Sequence, residues 1–582
     1  MIPRRFLVLC LLAGTALAVP QAQARDTPPT TVYRIAARVL PEQRRLEVSG
    51  TIRLPAADSA RAEVPMTLGA PMSALRVELV EPATAADLVR ERADDDTSRV
   101  EGERKVASWT LRPSRPIPKG QPLVLRFSCE GDGGPGLLYH VGPEVAFATG
   151  WGDYWYPVPA GAGQGTGELT VTVPAGWKVA TGAMRRSTDD EEARGAFRSE
   201  FVHPTYFTFA AGPYTVVRRE GGVVPLSAWL LKPRDRAPIY LAEADTLFRA
   251  LIDEFGPYPF DELGLVEVPR EIARQCGFNA FSPPGLLVLN HRAFDVPHVR
   301  HLLEWMGHEM GHQWFPHAFS LRTPPGLFAE EALAEYGGLR AVERIAGAEA
   351  ARRMRTQGYE FDPIYSAAAY FKLVHAGVDH PLARLESDPN HRNLAYNKGS
   401  LVFDMLSREI GRTEFRRILH GLTRDHRFER FTWEEFLEKI ERGAGRDLDW
   451  FYDQWFERTG APDFGLAWRQ EGREVRGTIT QVAPYYRAPG PNSPCPSRSQ
   501  PRRWSSTRNT KSCAGPPNTV PPRRAGPRRT PESPSDTTSP QREQQPGMLR
   551  SLPRRVVRGG DPQCKAWRFE RAEPDSTSTA AT

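Results

Sequence analysis

Long hydrophobic runs are almost absent from this sequence of 582 residues. After residue 24, no segment holds the roughly 18 apolar residues that a membrane-spanning helix requires, so we expect no membrane span. The first 24 residues are different: Arg4 and Arg5 precede an apolar run over 6–19, and Ala22-Gln23-Ala24 follows it. This order is typical of a secretory signal peptide. We expect an exported protein, periplasmic or secreted, whose mature chain begins at Arg25.

Cysteine is also scarce. One of the six cysteines lies in the leader and three lie in the last 95 residues, so only Cys129 and Cys276 remain for the body of the protein. Two distant cysteines exclude a small disulfide scaffold and a metal site built from thiolates.

Excess positive charge is confined to the C-terminal end. Residues 488–582 hold 17 Lys and Arg against 7 Asp and Glu, which leaves 59 against 63, or a net charge of −4, for the preceding residues. A mildly acidic body lacks the basic surface of a nucleic-acid-binding protein, so no nucleic-acid partner is expected. Nothing in the sequence specifies an oligomeric state.

Residues 488–582 contain 17 prolines and almost no aliphatic run. Such a composition cannot bury a hydrophobic core, and it is typical of a disordered basic tail. A shift of the reading frame near Tyr486 is an equal alternative, because GC-rich DNA read out of frame yields Arg, Pro and Ser.

The remaining sequence predicts a multidomain α+β protein. Residues 25–216 show short alternating runs separated by Gly, Pro and Asp, which indicate an antiparallel β-domain. Residues 217–460 show longer amphipathic periods, such as Ala242–Glu254, which indicate a mostly helical domain. Strand-like runs return in 461–487, so we expect a truncated third β-domain there.

A metal-binding motif lies in the helical region. His308-Glu309-Met310-Gly311-His312 places two imidazoles four residues apart, hence on one face of a helix, with a carboxylate one step round. Zinc binds two histidines and a carboxylate and keeps a fourth position for water. Glu309 would then reach that water. His298, His301 and His317 are weaker rivals, since none is paired in this way.

The third ligand is expected in Leu327–Tyr336, which reads as a second helix after Pro324, Pro325 and Gly326. Spacing alone leaves Glu330, Glu331 and Glu335 as alternatives.

Two glycines inside the motif helix give a further indication. Each glycine in a helix costs about 1 kcal/mol relative to alanine. We expect Gly307 and Gly311 to mark the close approach of another element.

These residues resemble a known family. His308–Phe315, then Glu331 after 18 residues, then Ala334-Glu335-Tyr336, is similar to the gluzincin aminopeptidases, the family of aminopeptidase N. Phe255–Phe260 upstream and Tyr396–Ser400 downstream support the resemblance. It implies a saddle-like β-sandwich followed by a thermolysin-like catalytic domain, one Zn²⁺ per chain and a peptide substrate.

The resemblance also implies roles for individual residues. The implied zinc ligands are His308, His312 and Glu331. Glu309 would be the general base, Tyr396 would stabilise the oxyanion of the tetrahedral intermediate, and Glu335 would orient a ligand imidazole.

One motif departs from the family pattern. Where these aminopeptidases carry Gly-x-Met-Glu-Asn, this chain reads Asn279-Ala280-Phe281-Ser282-Pro283, with Asn279, Ala280 and Ser282 as candidate substrate-binding residues. Ser282 occupies the position of the glutamate that binds the substrate amine, and a hydroxyl cannot pair with an ammonium as a carboxylate does. Asp153 is an alternative source of that carboxylate.

The sequence therefore predicts a zinc metallopeptidase that is aminopeptidase-like. An endopeptidase-like hydrolase with a relaxed requirement for a free N-terminus and a peptide-binding protein without turnover are the alternatives.

Overall fold

The computed structural model of the chain describes residues 30–90, 106–134, 136, 138–151, 154–162, 164–295, 302–322, 326–359, 365–385, 389–471, 474–482, 554–558 and 567–571. The predicted signal peptide and Asp153 lie outside the described residues. Contacts divide the chain into one compact unit that ends at Ala461 and a second that contains the described residues from Pro462 onward.

The first unit begins with a β-rich domain. Its strands and its one short helix are β1 (Thr31–Leu40), β2 (Arg45–Leu54), β3 (Val64–Gly69), β4 (Met72–Glu81), β5 (Ala86–Arg90), β6 (Val106–Pro113), β7 (Leu123–Asp132), β8 (Tyr139–Val141), β9 (Ala146–Thr149), β10 (Val158–Pro159), β11 (Gly165–Thr172), β12 (Lys178–Ala180), β13 (Met184–Arg185), α1 (Asp189–Ala193), β14 (Ala196–Thr205) and β15 (Thr208–Gly212).

Three sheets build this domain. Their strand orders are β13-β14-β11-β1-β2-β7-β4, β10-β3-β6-β5 and β12-β15-β9-β8. Side chains of β1 alternate strictly between buried and exposed, as expected for a strand that covers a core on one face. The domain was expected to be antiparallel, but β1 and β11 pair in parallel. A parallel pair is possible because these two strands are distant in sequence and need no tight turn between them.

A separate five-stranded sheet follows in the order β16-β17-β18-β20-β19. The strands are β16 (Thr215–Arg219), β17 (Leu226–Leu230), β18 (Leu263–Val268), β19 (Ala280–Phe281) and β20 (Leu286–Asn290). The three parallel strands β17, β18 and β20 are buried along their whole length, as is usual for parallel sheets covered on both faces. The expected domain boundary at 216/217 falls inside β16.

Helices make up most of the remaining catalytic region, with one short strand pair. In chain order the elements are α2 (Ala237–Phe255), α3 (Arg270–Gln275), α4 (Arg292–Asp295), α5 (Gly307–Gly311), β21 (Ser320–Leu321), α6 (Gly326–Gln357), α7 (Ala367–His375), α8 (Pro389–Leu394), α9 (Ser400–Ile410), α10 (Arg412–Asp425), β22 (Arg430–Phe431), α11 (Trp433–Ala444) and α12 (Asp449–Trp455). Segments Leu302–Met306 and Ala395–Gly399 are π-helical, whereas Pro41–Gln43 and Leu382–Arg384 are 3₁₀ turns. Among the described helices, none combines the length and the apolar character needed to cross a membrane.

The second unit contains two described strand pairs. Strands β23 (Asp463–Glu471) and β24 (Glu474–Val482) form an antiparallel hairpin. Strands β25 (Arg554–Arg558) and β26 (Trp567–Arg571) also pair, so the prediction of a stretch without regular structure does not hold for these residues. Their valines and aromatic residues have high β-propensity, which the tail's average composition conceals.

The β-domain contacts the catalytic sheet at its β19 edge. Phe147 of β9 packs edge-to-face on Phe278, with ring centroids 5.6 Å apart, and its ring lies 6.0 Å from that of Phe281. These two phenylalanines flank Asn279 and Ala280. The contact therefore supports the segment that leads to Ser282.

Two glycines let helices α5 and α6 approach each other. A Cβ atom added at Gly307 would lie 2.9 Å from Cα of Gly338, and one added at Gly311 would lie 2.9 Å from Cα of Ala334. Both obstacles are backbone atoms of α6, which cannot move aside as a flexible side chain can. The prediction that these glycines mark a close approach is confirmed.

We expect Gly311→Ala to lower the free energy of unfolding by about 1–2 kcal/mol, because overpacking a tight interface costs about 1–3 kcal/mol and better helix propensity recovers only part of it. Gly421→Ala is the matched control, since no atom lies within 4 Å of the added Cβ in helix α10. Chemical denaturation monitored by circular dichroism measures both. A Gly311→Ala protein as stable as the Gly421→Ala protein would contradict the packing argument.

Candidate metal centre and catalytic site

The two motif histidines meet over the C-terminal half of α5. His312 directly follows the helix with helical dihedral angles, so it remains on the same face as His308. Their Nε2 atoms lie 3.1 Å apart. Two imidazole nitrogens this close are suited to share one cation.

Glu331 of α6 completes a triangle of donor atoms. Its Oε2 atom lies 3.4 Å from Nε2 of His308 and 3.2 Å from Nε2 of His312. Donors held about 2.0–2.1 Å from a tetrahedral zinc lie about 3.3 Å from one another, so the three atoms fit such an ion. The same oxygen is buried and makes no hydrogen bond to any described residue, which a metal would explain.

The structure distinguishes among the three glutamates that spacing left open. Of these, only Glu331 brings a donor atom into the cluster with both histidines. Glu330 lies beside it, and burial and the charge of Glu331 raise the pKa of Glu330 to about 8. Glu335 lies one helical turn beyond Glu331, on the far side of the His308 ring.

The outer nitrogens of both imidazoles have oxygen partners. Oε2 of Glu335 lies 3.1 Å from Nδ1 of His308, and the hydroxyl of Tyr359 donates to that same oxygen at 2.6 Å. Nδ1 of His312 lies 2.8 Å from the carbonyl oxygen of Phe315. A proton at Nδ1 of each ring would leave both Nε2 lone pairs directed at the cluster, as metal-ligating histidines require.

The electrostatics of the cluster favour a cation. Burial by itself would lower the pKa of His308, but the carboxylates of Glu331, Glu335 and Glu309 outweigh it and raise the pKa to about 10. Burial likewise opposes ionisation of Glu331, yet the charges of His312 and His308 lower its pKa. Without another cation, the carboxylates stabilise a proton on His308. A divalent ion would replace it.

Glu309 lies beside the donor triangle and has a partner of its own. The Ser282 hydroxyl donates to Oε2 of Glu309 at 2.6 Å. The residue at the position of the family's amine-binding glutamate therefore contacts the candidate general base. Sequence reasoning did not anticipate this contact, because it depends on where the loop after β19 lies.

Gln313 holds that loop in place. Its side chain is fully buried, its Oε1 accepts from the backbone N–H of Gly285 at 2.8 Å, and its Nε2 donates to the carbonyls of Pro283 at 3.0 Å and Leu286 at 3.2 Å. Gln313 directly follows His312 in the segment His308–Phe315. That position was the sequence feature from which its role could have been predicted. It joins the motif helix to the Ser282 loop.

Tyr396 lies in the π-helical segment before α9. Its ring centroid is 5.3 Å from that of His308. Burial, the charge of Glu331 and Tyr365 raise its pKa well above the usual value, so the phenol keeps its proton. Tyr365, which the sequence analysis did not identify, stacks on Tyr396 with ring centroids 4.3 Å apart.

Buried polar contacts fix the segment that carries Tyr396. Lys398 is 2% exposed and donates to both carboxylate oxygens of Asp379 at 3.3 Å and to the carbonyl of Arg458 at 3.0 Å. Asn397 accepts from the backbone N–H of Ser366, next to Tyr365, at 2.8 Å. These contacts hold the phenol over the cluster.

The site opens into a cleft of about 2220 Å³ between the β-domain and the catalytic helices. Asn279, Ala280 and Ser282 line it together with Trp151 and the donor triangle. The cleft is large enough to admit a peptide of several residues.

Of the three rival histidines, only His317 is among the described residues, and it does not join the cluster. Nε2 of His317 contacts the carbonyl oxygen of Ser282 at 2.6 Å, whereas His298 and His301 lie outside the described residues.

Comparison with known proteins is consistent with this geometry. Residues 254–455 match the family model described as peptidase family M1 domain. Over these residues the chain is similar to an M1 peptidase domain. The matched residues include the complete donor triangle, Glu309 and Tyr396, and the resemblance to the gluzincin aminopeptidases is confirmed.

Curated relatives of the M1 domain are distant aminopeptidases. Aminopeptidase 2 of Candida albicans is 23% identical over 294 residues, which are 47% of this chain and 30% of that protein. Probable aminopeptidase 1 of Sulfurisphaera tokodaii is 22% identical over 215 residues, or 35% of this chain and 26% of that protein. The chain therefore spans less than a third of the length of these relatives.

A solved structure shows the same fold over a larger share. The crystal structure of an M1 zinc metallopeptidase from Deinococcus radiodurans matches with a TM-score of 0.55 and 17% identity, and it covers 74% of this chain and 94% of that one. The expected order, a β-sheet-rich domain followed by a helical catalytic domain, is confirmed.

We expect His312→Ala to abolish tight metal binding, because two remaining donors hold a divalent ion poorly. Metal content after dialysis, measured by inductively coupled plasma mass spectrometry, gives the result. His375→Ala, a change of an exposed histidine on α7, should leave the metal content unaltered. Equal metal content in the two variants would show that His312 is not a ligand.

Proposed function

We propose that this chain is a zinc-dependent metallopeptidase of the aminopeptidase type. The observation that carries the proposal is the triangle of His308, His312 and Glu331 donor atoms, with the Glu309 carboxylate and the Tyr396 phenol beside it. The curated relatives support it, since those cited here are aminopeptidases. A related crystal structure from Deinococcus radiodurans, with a TM-score of 0.53, contains a Tyr-Ser-Ala substrate.

In this proposal His308, His312 and Glu331 hold one zinc ion per chain. A zinc ion bound there would lower the pKa of a water molecule and polarise the carbonyl of the scissile bond. Glu335 keeps the His308 ring in its orientation, since its carboxylate lies 3.1 Å from Nδ1.

Glu309 acts as the general base. It sits one residue after His308, so its carboxylate reaches the space in front of the donor triangle. There it accepts the proton of the attacking water and passes it to the nitrogen of the leaving amine. The hydrogen bond from Ser282 occupies one carboxylate oxygen and leaves the other free for that proton.

Tyr396 stabilises the negative charge that develops on the carbonyl oxygen. A protonated phenol held over the cluster can donate a hydrogen bond as the charge forms, and its raised pKa ensures that it remains a donor. Tyr365 and the Lys398–Asp379 pair limit its movement, which keeps the donor in position.

A second candidate function is favoured by Ser282. The hydroxyl at the position of the amine-binding glutamate carries no charge and is already bonded to Glu309 at 2.6 Å. An endopeptidase-like hydrolase that accepts blocked N-termini fits this feature. A peptide-binding protein without turnover fits less well, because Glu309 and Tyr396 would supply proton transfer and oxyanion stabilisation.

Export to the periplasm or the medium forms part of the proposal. It rests on the order of charged, apolar and small residues in the first 24 positions.

We expect Glu309→Gln and Tyr396→Phe to retain zinc but to lower kcat by about 100-fold or more, as loss of a base or an oxyanion donor does. Peptide cleavage and zinc content are measured on the same samples. Glu349→Gln, which removes an exposed carboxylate elsewhere on α6, serves as the control. A Glu309→Gln protein with nearly full activity would remove this residue from the mechanism.

We further expect N-acetylated peptides to be cleaved within about tenfold of the rate for the free peptides. A charged hydrogen bond to the substrate amine is worth about 1.5–3 kcal/mol, or about 10- to 150-fold in rate, and Ser282 cannot supply it. Competition between acetylated and free forms of one peptide measures the ratio. Outright rejection of acetylated peptides would instead indicate that another acid, such as Asp153, binds the amine.

A further inference from the structure

The carboxylates and the arginines that line the cleft differ in how they are paired. Several acidic side chains already have basic partners: Glu63 contacts Arg112, Asp295 contacts Arg234, Asp425 contacts Arg424, and Glu429 contacts His426. The remaining described carboxylates of the lining either belong to the donor triangle or lie beside it, namely Glu331, Glu309 and Glu330. Among the described lining residues, every other carboxylate has a basic partner.

Five arginines that line the cleft have no such partners among the described residues. Their guanidinium groups form no hydrogen bond or ion pair with another described residue, and all five side chains are exposed to the cleft; they are Arg270, Arg292, Arg322, Arg392 and Arg430. Exposed arginines in a folded protein are commonly paired or solvated singly, whereas here several share one concave surface.

The fold brings these arginines into the same cleft as the metal cluster. Arg322 and Arg430 are adjacent, because β21 pairs with β22 and the backbone N–H of Arg322 donates to the carbonyl of Phe431 at 2.8 Å. Arg430 lines the cleft together with Glu330 and Glu331. This pair therefore borders the donor triangle from the side of α6.

The other arginines come from different segments. Arg270 begins α3 at the carboxyl end of β18, and its backbone N–H donates to Nδ1 of His291, the residue before Arg292, at 3.2 Å. Arg392 lies four residues before Tyr396, one helical turn away in the same helical run. The arginines without described partners thus come from several separate segments of the cleft lining.

We propose that the cleft binds a carboxylate of the substrate through these arginines, so that the preferred peptides are anionic. The carboxylate is either the C-terminus of a short peptide or an acidic side chain. The inference rests on the proposed peptidase function and names its substrate class. It agrees with the uncharged Ser282, because a site that does not bind an ammonium gains from attracting an anion.

Clefts lined by one sign of charge concentrate ligands of the opposite sign and accelerate their association. Each exposed arginine–carboxylate contact is worth up to about a fivefold change in affinity. Salt screens such contacts, with a Debye length of about 10 Å at 0.1 M and about 3 Å at 1 M.

The test uses one hexapeptide framework with Glu, Gln or Lys at a position away from the cleaved bond, each with a free or an amidated C-terminus. At low salt we expect kcat/KM to fall in the order Glu, Gln, Lys if a side chain is bound. Amidation should lower it about two- to fivefold if the C-terminus is bound. Both preferences should shrink as salt is raised to about 1 M.

Arg392→Gln and Arg430→Gln should each reduce the selectivity for the carboxylate about two- to fivefold, and Arg392→Lys should retain most of it. Arg352→Gln is the matched control, since Arg352 is an exposed arginine paired with Glu349. Circular dichroism melting confirms that the variants are folded. Equal kcat/KM for all peptides, unaffected by salt and by the arginine variants, would overturn the inference.

A binding measurement tests this inference independently of the proposed function. Fluorescence anisotropy of labelled Glu and Gln peptides on the Glu309→Gln protein reports affinity without turnover. The unmutated protein could cleave no peptide while the Glu309→Gln protein binds the Glu or free-carboxylate peptide more tightly. That result would support the carboxylate site and contradict the proposed peptidase function. Cleavage without any carboxylate preference in either assay would support the peptidase function and contradict the carboxylate site.

Discussion

The close contact between helices α5 and α6 is the constraint on which the site depends. At two positions one turn apart, glycine on α5 faces a small residue on α6, and a single added Cβ would lie 2.9 Å from the opposing backbone. This contact sets how far the Glu331 carboxylate reaches toward His308 and His312. With a wider spacing, the three donors would not lie within 3.4 Å of one another.

The same face of α6 explains which glutamate serves which purpose. Glu331, Ala334, Glu335 and Gly338 recur at spacings of three and four, so all of them face α5. Glu331 therefore meets the Nε2 side of the imidazoles and Glu335, one turn further, meets Nδ1 of His308 at 3.1 Å. Glu330 is rotated by one residue and does not contribute a donor atom to the triangle.

Much of the site was predictable because several of its residues lie close together in the sequence at helical spacings. The pair of histidines, the intervening Glu309 and the two glycines follow from helix periodicity. The third ligand was not determined by spacing, since three glutamates share one helix. The structure identifies Glu331 as the third ligand, because the contact at the two glycines determines which face of α6 packs on α5.

Other features depend on contacts between distant segments, which periodicity does not encode. The Ser282–Glu309 hydrogen bond requires Gln313 to hold the loop after β19, and the position of Tyr396 requires the buried Lys398 and the stacked Tyr365. The paired strands β25 and β26 were missed because the composition of the surrounding 95 residues outweighed two short apolar runs.

The central claim is that the contact between α5 and α6 builds a zinc site from two imidazoles and one carboxylate. X-ray absorption at the zinc edge, on protein purified without added metal or chelator, tests it most directly. The account predicts one zinc per chain, with two nitrogen ligands from histidine and oxygen in the remaining positions, at about 2.0–2.2 Å. A protein free of zinc, or zinc bound through sulfur or through a different number of histidines, would contradict it.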